Sequence, residues 1–266
     1  MRRWEQIGTG DVPGGGGQMT LYQRGTELSI HVRGRELMHS GLHGSEDALA
    51  NLVCDRLGSA SGLRILVGGL GMGYTLAAAL RRVGPDGQVT VAELVPVVIE
   101  WNRGPLAHLA GHPLDDPRSR VFAGDVRLAI SGEGPWDAIA LDVDNGPEGL
   151  TRSSNDALYG PEGLSSTYAA LRPGGWLSVW SATPAPAFTR ALQRAGFRVE
   201  VVTVPARQDG GGGARHTIWL AQRPPTASVR PASTTGARAG DVTGAAAAPR
   251  AARPVRSGGV TTKRGG

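Results

Sequence analysis

Cysteine is almost missing from this sequence: Cys54 stands alone among 266 residues. One thiol excludes a disulfide within the chain and a cysteine-rich metal site. It fits a reducing cytoplasm. Lysine is as scarce, with Lys263 the only one among 28 basic residues. A bias this complete reads as composition, so the arginines are not taken as phosphate ligands by default. No apolar run is long enough to span a bilayer; the best, ILVGGLGMGYTLAAAL, is short and rich in glycine. The start, MRRWEQIGTGDVPGGGG, is basic but has no apolar stretch of the kind a secretory signal needs. These absences predict a soluble cytoplasmic protein with no membrane partner. His39/His43 and His108/His112 are each four apart, yet neither pair has a zinc signature or a third ligand, so no metal is expected.

The net charge of +5 is uneven. From residue 224 onward seven basic residues face one acid, so this segment carries +6 and the rest −1. The body has no basic stripe of the kind a nucleic-acid binder needs. The segment 224–266 lacks aromatics and any apolar period, so it reads as a disordered basic tail, with at most a weak electrostatic contact to nucleic acid.

Three segments follow. Residues 1–60 form a small β region with a linking helix, 61–223 a nucleotide-binding transferase domain, and 224–266 the tail. In the first, QMTLYQRGTELSIHVRGRELM reads as short strands turned at RGT and RGR. Ser45 is the expected N-cap of a helix whose stripe is Leu49, Leu52, Val53 and Leu57, with Cys54 in its core face and Gly58 at its end. From residue 64 strand and helix alternate. RILVGG, QVTVAEL, RVFAGD, WDAIALDVD and WLSVWSA are strands, and their continuous apolar runs suit a parallel sheet covered on both faces. FRVEVVTVPAR and RHTIWLAQR have no helix between them and predict an antiparallel hairpin at one edge. The fold class is α/β, a doubly wound, mostly parallel Rossmann-like sheet after a small N-terminal β region. Trp101, Trp136, Trp176, Trp180 and Trp219 are expected in the core.

Ligands of such sheets sit beyond the carboxyl ends of the strands, near the switch point. Four polar features fall there, one per strand. Gly69-Leu70-Gly71-Met72-Gly73 is a tight loop that lets backbone approach a ligand. Its G-x-G-x-G spacing lacks the next glycine of the dinucleotide fingerprint, where Tyr74 stands, which counts against an NAD-linked oxidoreductase. Glu93, about 20 residues on, is placed to accept both hydroxyls of a ribose. Asp125 in AGDVR can accept from an adenine amine or cap a helix. Asp142 in LDVDNGP can orient a nucleophile or take its proton; equally, Asp, Asn and Gly there can begin a loop.

Together these stretches resemble the spermidine synthase family, a branch of the Rossmann-like AdoMet-dependent transferases. The resemblance runs over about residues 18 to 223 and includes HGSEDALA, the glycine loop, Glu93, GDVR, the aspartate loop, LYGPEGL and LRPGG. It implies that Gly69, Gly71 and Gly73 lie under the amino-acid part of S-adenosylmethionine or its decarboxylated form. Glu93 would hold the ribose, Asp125, Val126 and Pro147 the adenine, and Asp142 the proton of an attacking amine. It also implies a homodimer. The chain departs from the aminopropyltransferases of that family at three places. Gly71 stands where their loop has an acid, leaving room for the carboxylate of intact AdoMet. Asp144 and Asn145 replace their second aspartate, and Gly44 replaces their tyrosine ahead of Ser45 and Glu46. Methyl transfer to a small nucleophile is therefore the first expectation. The alternative is aminopropyl transfer to a di- or polyamine, with Asp144 as a second catalytic acid and Glu46, Asn145 and Tyr159 at the acceptor. A non-catalytic nucleotide-binding module is a further alternative.

Overall fold

In the computed structural model, residues 2–143, 157–207 and 213–226 are described. Asp144, Asn145, Pro147, the QDGGGGA turn and the basic tail from residue 227 lie wholly or mostly outside them. The sheet is organised around β5 (Arg64–Gly68), whose Ile65, Leu66 and Val67 have no exposed surface. Both faces of this strand are covered, so it takes apolar residues in succession rather than in alternation. β6 (Gln88–Glu93) and β7 (Ser119–Ala123) extend the sheet on one side. β8 (Trp136–Leu141) and β9 (Leu171–Ser181) extend it on the other, and all these pairings are parallel. β10 (Arg198–Pro205) and β11 (Arg215–Gln222) form the expected hairpin. It docks through its second strand, antiparallel to β9, giving the order β10-β11-β9-β8-β5-β6-β7.

The chain moves outward from β5 to β7 and then returns to β8 on the far side of β5. The switch point therefore lies between β5 and β8, where Gly68 pairs with Leu141. Helices α1 (Gly44–Leu57), α2 (Tyr74–Leu80), α3 (Pro96–Arg103), α4 (Val126–Glu133), α5 (Pro161–Ala170) and α6 (Pro186–Arg194) flank the sheet. α4, between the third and fourth strands, is an element the sequence reading had not separated. α1 also starts differently from expectation: its N-cap is His43, and Ser45 lies inside the first turn. Of the tryptophans, Trp136 and Trp219 are fully buried, Trp101 and Trp180 nearly so, and Trp176 partly.

The N-terminal region is a four-stranded antiparallel meander, β1 (Glu5–Val12), β2 (Gly17–Arg24), β3 (Glu27–Val32) and β4 (Arg35–His39). The alternation in TELSIHVR places Leu28 and Ile30 in the core. β1 had no such pattern, because its contact with the rest of the fold uses glycine. A Cβ on Gly8 would come within 2.7 Å of the Trp101 ring, and one on Gly10 within 2.5 Å of the Val97 side chain, both on α3. The missing side chains let a strand lie directly on a helix.

Candidate active site

The carboxyl ends of β5, β6, β7 and β8 open onto a cavity of about 1030 Å³, continuous with solvent, and the N-terminal sheet roofs it. Gly69, Gly71, Glu93, Asp125, Val126 and Asp142 all line it, so the structure brings these six together. Val12, Met19, Ile30, Val32 and Met38 complete the wall from the small sheet. Nothing in their pattern marked those residues as more than core.

Gly69 has φ +91°, and a Cβ there would lie 2.1 Å from the Asp142 carbonyl oxygen. Glycine is thus required where the first and fourth strands end side by side. Gly71, at φ +53°, differs from expectation. The space its side chain would use is held by the Met38 methyl, 2.7 Å from a built Cβ. Met38, the end of a flexible side chain, lies over Gly71 where both line the cavity. Gly73, at φ +85°, turns the chain into α2 and faces Asn102 and Pro113 rather than the cavity lining.

Glu93 is nearly buried, with both oxygens fixed by backbone: the Leu70 amide donates at 2.9 Å and the Val95 amide at 2.7 Å. The two amides hold the carboxylate rigid at the edge of the cavity it lines. Asp125 fulfils the capping reading. Its carboxylate accepts from the Arg127 amide at 2.9 Å and from the Arg127 guanidinium at 2.7 to 3.2 Å. Among the described residues lining this cavity, Arg127 is the one arginine, and it is spent on Asp125.

Asp142 also lines a smaller adjoining cavity of about 270 Å³, with Glu46, Thr75, Tyr74, Met38 and His39. It therefore stands at the junction of the two spaces. Its Oδ2 accepts from the Thr75 hydroxyl at 2.8 Å, an anchor that the sequence reading missed. Burial raises its pKa to about 6, against the opposing Thr75 bond. The Glu46 carboxyl is pushed further, to about 8, by burial first and by the Asp142 charge second, while the Ser45 hydroxyl at 2.6 Å opposes both. Two carboxyls thus share one small space, and near neutrality they hold about one proton between them. Tyr74 closes the side of this space. Its ring stacks on His43 at 4.0 Å, its hydroxyl donates to the Ser40 carbonyl at 2.9 Å, and burial raises its pKa to about 12. Tyr159 packs edge-on against Phe188 in the core, while its neighbour Leu158 reaches the larger cavity. Asp144, Asn145 and Pro147 lie outside the described residues.

The arrangement can hold a flat, polyhydroxylated ligand under the glycine loop and a cationic group between Glu46 and Asp142. Among the described residues no cluster of His, Cys, Asp and Glu could hold a metal ion, and no helix is long and apolar enough to cross a membrane.

No family model matches the chain. It is 31% identical over 181 residues to the polyamine aminopropyltransferase of Mycobacterium tuberculosis (strain ATCC 25618 / H37Rv), a match covering 63% of this chain and 34% of that protein. The polyamine aminopropyltransferase of Korarchaeum cryptofilum (strain OPF8) is 33% identical over 113 residues, covering 42% and 33%. The protein-L-isoaspartate O-methyltransferase of Methanothrix thermoacetophila is 31% identical over 127 residues, covering 47% and 50%. The chain spans about a third of the length of the aminopropyltransferases it matches. Among solved structures, the spermidine synthase of Thermotoga maritima superposes with a TM-score of 0.66 at 17% identity, over 84% of this chain and 74% of that one. A spermidine synthase bound to the transition-state analogue AdoDATO superposes at 0.65, with the same identity and coverage. At that identity the likeness establishes the fold.

Proposed function

We infer that this chain, spermidine synthase-like in sequence and fold, is an alkyl transferase using a sulfonium of the S-adenosylmethionine type, and that it moves an aminopropyl group onto an amine. The observation that carries this reading is the Glu46–Asp142 pair at the junction of the two cavities. Two partly protonated carboxyls, with no arginine among the described residues that line their cavity, repel another carboxylate and attract an ammonium. Intact AdoMet would bring a carboxylate toward them, whereas the decarboxylated form brings only a cation. The curated aminopropyltransferases favour the same choice over methyl transfer, the first expectation from sequence. The methyltransferase match keeps methyl transfer as the second reading.

The cavity fits the donor at several points. Glu93 presents fixed acceptors for ribose hydroxyls, the loop from Gly69 lies close beneath, and Val126 and Leu158 offer apolar walls to a flat base. When bound, the donor supplies an electrophilic carbon whose bond to positive sulfur breaks as a neutral thioether leaves. The chain's residues supply alignment and a base. Asp142, fixed by Thr75, orients the acceptor amine at the cavity junction. With a pKa raised to about 6, it is a better proton acceptor than an ordinary aspartate and remains ionised at neutral pH. Glu46 holds the same cation from the other side.

Two measurements test the reading. Calorimetry with decarboxylated AdoMet, intact AdoMet and NAD should show preference for the first, and preference for intact AdoMet would transfer the assignment to methyl transfer. Asp142→Asn should bind the donor as tightly as the parent and lose about 100-fold or more in turnover, the usual contribution of a positioned base. Undiminished turnover would remove Asp142 from the mechanism.

A further inference from the structure

An ammonium becomes a nucleophile only by giving up a proton, and the carboxyl pair that takes it must pass one on before the next turnover. Once donor and amine fill the cavities that Glu46 and Asp142 line, the direct way to solvent is blocked and the proton needs another route. Ser45 Oγ is 2.6 Å from Glu46 Oε2 and 2.8 Å from the Nδ1 of His216, a residue 171 positions away on β11. Ser45 has no exposed surface, whereas His216 is half-buried at the sheet surface, with its ring edge-on to Trp180 at 4.7 Å. Ser45 is therefore shut off from solvent, and its hydroxyl bonds both of these groups.

We propose that Glu46, Ser45 and His216 form a proton relay from the amine site to solvent, with Ser45 and His216 acting through Glu46 rather than on the substrate. The chain is hydrogen-bonded in either direction, which a relay requires. With Glu46 ionised, His216 Nδ1–H donates to Ser45 and Ser45 donates to Glu46. With Glu46 protonated, Glu46 donates to Ser45 and Ser45 donates to Nδ1. During transfer the amine nitrogen forms its bond to carbon as the carbon–sulfur bond breaks. The proton lost by the amine enters the carboxyl pair. Glu46 passes a proton to Ser45 Oγ, the Ser45 proton moves to His216 Nδ1, and the imidazolium releases one proton to water. Burial keeps the His216 pKa below its ordinary value, which favours that release. Around Glu46 stand Asp142 after β8, Thr75 and Tyr74 of α2, Asp47 on α1 and His39 at the end of β4.

The relay rests on the amine-transfer reading, and the test separates the two. With decarboxylated AdoMet and putrescine as probes, Ser45→Ala should lower kcat about 10-fold, a fraction of a full base's contribution, and leave KM for putrescine within about 2-fold. His216→Ala should lose a similar factor and regain rate on addition of imidazole, while Ser45→Ala should not. His216→Asn keeps a bonding partner for Ser45 but cannot carry the proton, so full kcat in that variant would reduce the contact to a structural tie and overturn the relay. If the parent protein transfers no aminopropyl group, the functional reading falls and the relay is judged by proton resonance of the His216 ring. Its titration midpoint should then move between the parent and Ser45→Ala; an unchanged midpoint overturns the relay.

Discussion

Glu93 combines two properties: it is nearly buried, and each of its oxygens already holds a backbone amide. Replacing it by alanine removes one or two charge-assisted bonds to a ligand, each contributing about 1.5–3 kcal/mol. Glu93→Ala should therefore bind decarboxylated AdoMet about 10–100-fold more weakly by calorimetry. A loss below 2-fold would place the ribose elsewhere. At this scale the sequence was readable where a residue type ends a strand. Glu93, Asp125 and Asp142 were found because a polar residue stopped an apolar run. Thr75, Met38 and the Ser45–His216 contact escaped because their meaning depends on partners 33 to 171 positions away, which no local pattern encodes.

Among the elements, the parallel strands were the easiest to read. Burial on both faces leaves a strand little choice but a continuous apolar run. β1 was illegible for the opposite reason: it packs on α3 by having no side chains at Gly8 and Gly10. Gly10→Ala should thus cost about 1–3 kcal/mol of stability, as overpacked sites do. The built Cβ falls 2.6 Å from the Val97 Cβ as well as 2.5 Å from its Cγ1, so trimming Val97 to alanine should restore only part of the loss. Chemical denaturation of the single and double variants checks both. Complete rescue by Val97→Ala would mean that the strand shifts freely on the helix. α4 was legible only through its start, since Asp125 reads as a ligand acceptor or a helix cap; the one carboxylate lines the cavity and caps the helix together.

For the whole molecule, the buried carboxyls couple the site to global stability. Glu46 and Asp142 both bind protons more tightly when folded than when unfolded. Between the ordinary carboxylate range, near pH 4, and about pH 8, the folded chain retains protons that the unfolded chain has lost, and stability falls as pH rises. In Glu46→Gln most of that slope should vanish, so Tm should exceed the parent's at pH 8.5 and match it near pH 4.5. Equal slopes in a calorimetric scan would show that the pair is not strained by its own charge. An ammonium ligand should relieve the same strain, stabilising most at the alkaline end. The sheet order has a consequence in time as well. β11 is the last of the described strands in the chain, yet it lies between β9 and β10. Until residues 215–222 leave the ribosome, β9 keeps a bare edge and β10 has no neighbour, so the sheet must stay open to receive its final strand. His216 arrives with that strand, and the site acquires its outlet for protons only at the moment the sheet closes.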